Sequence, residues 1–69
     1  MNIVKIETEF IQLQQFLKLI NVVESGGQGK IFIQEGNIKV NGEIETRRGR
    51  KLYPNDKITI KGIGDFVIK

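Results

Sequence analysis

Cysteine and histidine are both absent from this chain of 69 residues. Without them there is no disulfide framework, no thiolate or imidazole metal site, and none of the general base most often used near neutral pH. Catalysis would have to run on carboxylates and lysines alone. With no cross-links, stability must come from packing, which suits a reducing compartment. Long apolar runs are also lacking: nothing approaches the roughly 20 residues of a membrane span. The opening stretch "MNIVKIETEF" has neither the basic start nor the unbroken apolar segment of a secretion signal. The expectation is a soluble, cytoplasmic protein with no membrane association. No internal repeat, low-complexity tract or proline- or serine-rich linker divides the sequence, so residues 1–69 read as one domain. A domain this small buries roughly 60% of the surface of its unfolded chain, and it is too short for the helix-covered parallel sheet of a phosphate-loop nucleotide enzyme.

Charge is present but unevenly spread. The net charge is +3. Residues 1–29 carry two lysines against three glutamates, and residues 30–69 carry nine basic against five acidic side chains. The excess peaks at "RRGRK", Arg47 to Lys51, with no acid between Thr46 and Tyr53. A cluster of one sign raises the local potential and favours polyanions. The same run also reads as a solvated loop that aids solubility.

Hydrophobic spacing gives the element order. Val4 and Ile6 alternate with Lys5 and Glu7, the period of a strand with one buried face. From Gln12 to Ile20, Leu13, Phe16, Leu17 and Ile20 recur at i, i+3, i+4 and i+7, which predicts a helix with these four facing the core. Lys18 points away from that stripe. In "ESGGQGKIFIQEG", Ser25 suits an N-cap and Gly36 a left-handed residue just past a helix end. A short second helix is therefore expected, with Gly29, Phe32 and Ile33 on its inner face, Gly29 allowing a close approach to the first helix, and Ile31 pointing outward. After Gly36 the period returns to two. Ile38 and Val40 alternate with Lys39, Asn41-Gly42 supplies a tight hairpin turn, and Ile44 continues between Glu43 and Glu45. Past the basic loop come Leu52, a turn at Pro54, Asn55 and Asp56, a strand with Ile58 and Ile60 facing in, a bend at Gly62 to Gly64, and a last strand with Phe66 and Ile68 that can pair with the first.

Two motif-like stretches fail on inspection. "SGGQGK" resembles a phosphate loop, but its glycines are too closely spaced, Ile31 stands where a hydroxyl should follow Lys30, and the site follows a helix rather than a strand. "KGIGDFVI" echoes a base-stacking strand, but Asp65 interrupts the pattern and Ile63 replaces the flat ring that stacking needs. What survives is the helix start. The backbone N–H groups of Gly26, Gly27 and Gln28, with the positive end of the helix dipole, form a small anion site that glycine leaves open.

The sequence resembles the S-four RNA-binding domain, also called the alpha-L motif. The resemblance rests on Leu13-x-x-Phe16-Leu17, Ser25, Gly29-Lys30, Ile33-x-x-Gly36-x-Ile38-x-Val40-Asn41-Gly42 and Asn55-Asp56-x-Ile58, and it covers residues 13–60. It departs from the pattern at Gln12, where the family has Arg, and at Gly26 and Gly27, where basic residues usually follow the Ser. The combination of "SGGQGK", "VNGEIETRRGRKL" and a short extra N-terminal strand looks most like the stand-alone YaaA-like branch. The resemblance implies an α+β fold, two short packed helices against a small, mostly antiparallel sheet with an extra N-terminal strand. It also implies a non-catalytic RNA-binding protein, with ribosomal RNA as target and a role in ribosome assembly or maturation.

The expected RNA contacts are Ser25, Gly26, Gly27, Gln28 and Lys30 at the second helix, and Arg47, Arg48, Arg50 and Lys51 in the basic loop. Lys18, Lys39, Asn41 and Tyr53 are secondary candidates. Tyr53 reads either as a base-stacking ring or as a half-buried structural one. No catalytic residue, metal ligand or cofactor is expected, and the protein is expected to act as a monomer. Two other readings stay open: an adaptor that docks on a ribosomal or replication protein through Ile31, and a DNA binder, since backbone neutralisation is similar on both polymers.

Overall fold

Leu13, Phe16, Leu17 and Ile20 do share one face of a helix, and the first three are fully buried. In the computed structural model, which describes all of residues 1–69, this helix is α1, Leu13–Leu19. It stops because Asn21 turns left-handed, at φ 61°. The Asn21 N–H then donates to the Lys18 carbonyl at 3.1 Å and the Val22 N–H to the Leu17 carbonyl at 3.0 Å. This is the paired closure that satisfies the last helical carbonyls.

The second helix, α2, runs Gly26–Gln34 and is capped as its residues require. The Gln28 N–H donates to Ser25 Oγ at 3.3 Å, and Gln28 Oε1 accepts from the Glu24 N–H at 2.8 Å. This is a variant of the reciprocal capping box, reaching one residue further back. Gly36 follows the helix at φ 83°. Gly29 and Ile33 are buried and Phe32 is half-buried. The reason expected for Gly29 needs correction, because its nearest neighbour is Val23 Cγ2, 3.5 Å from where a Cβ would stand. That is ordinary contact with the connecting segment and leaves room for a methyl group.

Seven strands complete the molecule. They are β1 Asn2–Val4, β2 Ile11–Gln12, β3 Ile38–Val40, β4 Glu43–Ile44, β5 Lys51–Leu52, β6 Lys57–Ile60 and β7 Gly64–Ile68. Five form one sheet in the order β1-β7-β6-β3-β4, antiparallel except where β1 lies parallel to β7. The last strand thus pairs with the first, as the alternating apolar residues allow. A separate antiparallel pair, β2 with β5, places Ile11 opposite Leu52; neither strand shows in the hydrophobic period because each has two residues. Ile38, Val40, Ile58, Ile60, Phe66 and Ile68 point inward to meet the helices. There Phe16 and Phe66 pack edge to face, with centroids 5.7 Å apart.

One strand corrects the alternation read from the sequence. Ile44 is 62% exposed, and Glu45 is buried at 6% exposure. The turn explains it. Asn41 and Gly42 adopt φ 53° and 88°, a two-residue reversal with both residues left-handed. It pairs Val40 with Glu43 and Lys39 with Ile44. Partners directly opposite share a face, so Ile44 joins the outward Lys39, and the next residue turns inward. The Glu45 N–H donates to the Ile38 carbonyl at 2.9 Å.

Candidate nucleic-acid interface

Burying Glu45 places a carboxylate beneath the basic loop, and the loop is built around it. Arg47 approaches as a fork, with Nε 3.0 Å from Oε2 and Nη2 3.0 Å from Oε1, while its backbone N–H donates to Oε2 at 3.1 Å. Arg50 Nη1 donates to Oε1 at 2.7 Å. One carboxylate therefore accepts four hydrogen bonds from two arginines, the strong charge-assisted kind. The Arg47 bonds are the main cause that lowers the Glu45 pKa to about 2, against the opposing effect of burial. In return, Glu45 raises the pKa of Arg47. Arg47 still keeps 74% of its side chain exposed, whereas Arg50 keeps 33%.

The loop is also docked by its backbone. The Leu13 N–H donates to the Arg50 carbonyl at 2.8 Å, and the Gln14 N–H to the Arg48 carbonyl at 3.0 Å. These are two of the free N–H groups at the start of α1, so the loop caps that helix where its dipole is positive. Beside it, Lys51 Nζ sits 4.8 Å from the centre of the Phe10 ring, and Phe10 lies 5.8 Å from Tyr53. Arg47, Gly49, Arg50, Lys51 and Tyr53 line an open recess of about 570 Å³. Arg48 is exposed and makes no side-chain hydrogen bond or ion pair, so its guanidinium is wholly available.

At the other group of expected contacts, the free N–H expected at Gln28 needs correction. That N–H donates to Ser25 Oγ, and the Gln28 side-chain Oε1 accepts from the Glu24 N–H, which leaves its Nε2 without a partner. Gly26 and Gly27 keep unpaired N–H groups. No side chain crowds them: a Cβ at Gly26 would meet nothing within 4 Å, and one at Gly27 only Ser25 Oγ at 3.9 Å. Lys30 and Lys18 are exposed on α2 and α1. No hydrogen bond or ion pair joins Ser25–Lys30 to Arg47–Lys51. What lies between them is α1, which holds the loop at its start and leads into α2 at its end, a rise of about 10 Å.

Asn41 has a different place. Its Nδ2 donates to Asp56 Oδ1 at 3.0 Å, and its Oδ1 accepts from the Lys57 N–H at 2.9 Å. Asp56 Oδ2 in turn accepts from the Tyr53 N–H at 2.8 Å. Two separate pieces of the signature, Asn41-Gly42 and Asn55-Asp56, thus form one clip between two turns. Lys39 is exposed on the outer face of the sheet. Phe10 and Glu45 are the residues that the sequence reading missed. Phe10 lies in an aperiodic segment and leaves no signal, but counting outward from the two-residue turn would have found Glu45.

The fold and this loop define a class: a small α+β domain, two helices on a mixed sheet, presenting a clamped cationic loop at a helix start. The solution structure of YbcJ from Escherichia coli superposes with a TM-score of 0.69 at 33% identity, covering 97% of this chain and 87% of that one, and is described as revealing an alpha-L motif involved in RNA-binding. The same fold is therefore present here. The chain belongs to the S4 domain family, whose model matches residues 4–69. It is 49% identical over 67 residues to a Bacillus subtilis (strain 168) protein named "Probable ribosome maturation protein RlbA", covering 97% of this chain and 94% of that one. Against YbcJ of Escherichia coli (strain K12) it is 40% identical over 52 residues, 75% of this chain and 74% of the other.

Proposed function

We propose that this protein binds structured ribosomal RNA through the Arg47–Lys51 loop, the open first turn of α2 and Lys30, without catalysis, and acts in ribosome maturation. The observation that carries the reading is the clamp. Holding two arginines on one buried carboxylate fixes the loop before any partner arrives, so little ordering entropy remains to oppose binding. Arg48 and the exposed part of Arg47 then meet phosphate oxygens, and Tyr53 or Phe10 offers a ring beside them. Relatives named for ribosome maturation and for RNA binding support the same reading. The expected setting is the cytoplasm, and the expected form a monomer.

Crosslinking in cells, followed by sequencing of the attached RNA, tests it. Ribosomal RNA from one subunit is the expected product; recovery of messenger or transfer RNA alone would remove the ribosomal assignment. Competition between structured RNA and duplex DNA separates the two polymers that charge alone does not. One observation favours a second reading, docking on a ribosomal protein: Ile31 is 62% exposed beside a groove lined by Val22, Val23 and Phe32. Partners that survive nuclease treatment in a pull-down, and are lost in Ile31→Asp, would favour it.

A further inference from the structure

The outer face of the sheet holds a second cationic feature, away from the basic loop. Gly36, Asn37, Lys39, Thr59 and Lys61 line a recess of about 230 Å³ with no apolar side chain in its wall. Lys39 pairs directly with Thr59 across β3 and β6, and Lys61 lies two residues beyond Thr59, its N–H donating to the Asn37 carbonyl at 2.9 Å. The two lysines are thus diagonal neighbours on one face. Neither has a carboxylate partner. Asp65, opposite Thr59, is held by Lys57 at 3.6 Å. Glu35 precedes Gly36 in the chain but lines the groove beside Ile31 instead.

The end of α2 adds a donor. At the end of α1 the Val22 N–H closes the helix by bonding the Leu17 carbonyl. At the end of α2 the equivalent carbonyl, that of Phe32, is taken by the side-chain Nδ2 of Asn37 at 3.0 Å. The Asn37 backbone N–H is thereby left with no acceptor in the protein. Gly36, at φ 83°, puts no side chain over the opening. Two lysines without a carboxylate partner, a threonine and an asparagine with a spare backbone N–H line one recess whose wall contains no acid and no ring. Such a site repels cations and offers no surface for a base to stack on, but it matches the donor demand of an oxyanion.

We propose that this recess binds a phosphate group, carried by a nucleic acid strand or by a small phosphorylated molecule, independently of the basic loop. Because it contacts no base, it discriminates charge and not sequence.

The test is an amide 1H–15N titration of the intact protein with inorganic phosphate at constant ionic strength, and in a second arm with a short single-stranded oligoribonucleotide. The proposal expects saturable shifts at Asn37, Lys39 and Lys61, retained in Arg47→Ala/Arg48→Ala. Lys39→Gln/Lys61→Gln should bind phosphate about tenfold more weakly or worse, having lost two charge-assisted donors; both side chains are exposed, so a native-like spectrum is expected of this variant. Shifts that do not saturate, or that persist unchanged in it, overturn the site. An oligonucleotide that moves the same amides and competes with phosphate identifies a strand as the source, and phosphate shifts without such competition identify a small anion. Loss of RNA binding in the loop variant with the recess shifts intact would separate the two surfaces.

Discussion

Glu45 carries more of the basic loop than any arginine in it. Its pKa is lowered in the folded protein to about 2 from an ordinary 4.5. The stability it confers is therefore complete above about pH 4.5 and is lost as pH falls through the folded value, because protonation removes the charge that both arginines bond. Unfolding midpoints measured from pH 6 to 2 should show wild type above Glu45→Gln at pH 6, with the gap closing toward pH 2. A constant gap would mean that the carboxylate's charge is immaterial. Asn41 and Asp56 act at the same scale. Asp56→Ala removes acceptors for two turns at once and should cost about 1–3 kcal/mol in urea denaturation. The turns themselves are legible in the sequence, since Asn41, Gly42 and Asn55 are of the few residue types that tolerate the left-handed backbone they adopt. The inward aim of Glu45 is less so, because it depends on pairing parity and not on its own character.

Among the elements, α2 shows where local rules and function part. Its cap at Ser25 and its stop at Gly36 follow from residue type, and both are where the sequence places them. The three glycines do not follow from packing. Gly26 and Gly27 face open space, and Gly29 leaves room for a methyl group. Replacing Gly29 with Ala should stabilise the protein by about 0.5–1 kcal/mol, through helix propensity alone. A clear destabilisation would show that the Val23 contact is tighter than 3.5 Å implies. Gly26→Ala and Gly27→Ala should also stabilise, yet weaken RNA binding if a phosphate approaches the bare helix start. Stabilisation with unchanged RNA affinity would remove that start from the interface. The short strands β2 and β5 escape sequence reading for a physical reason. Two residues carry no period, and their pairing is fixed by the docking of the loop on α1.

At the scale of the whole molecule, a small net charge is arranged so that cations stand on surfaces built to hold them. The excess in residues 30–69 is visible in the sequence, but its division is not: two arginines are clamped, Arg48 is free, and two lysines flank a separate recess. The central claim is that the clamped loop meets the phosphates of RNA. It is tested most directly by measuring RNA affinity across a salt series for wild type and for Arg47→Ala/Arg48→Ala. With four or five phosphates neutralised, the wild-type log affinity should fall with log salt at a slope of roughly −3 to −4, and the double variant should bind more weakly with a slope shallower by about 1 to 2. Equal affinity and equal slope in the two proteins would contradict the account.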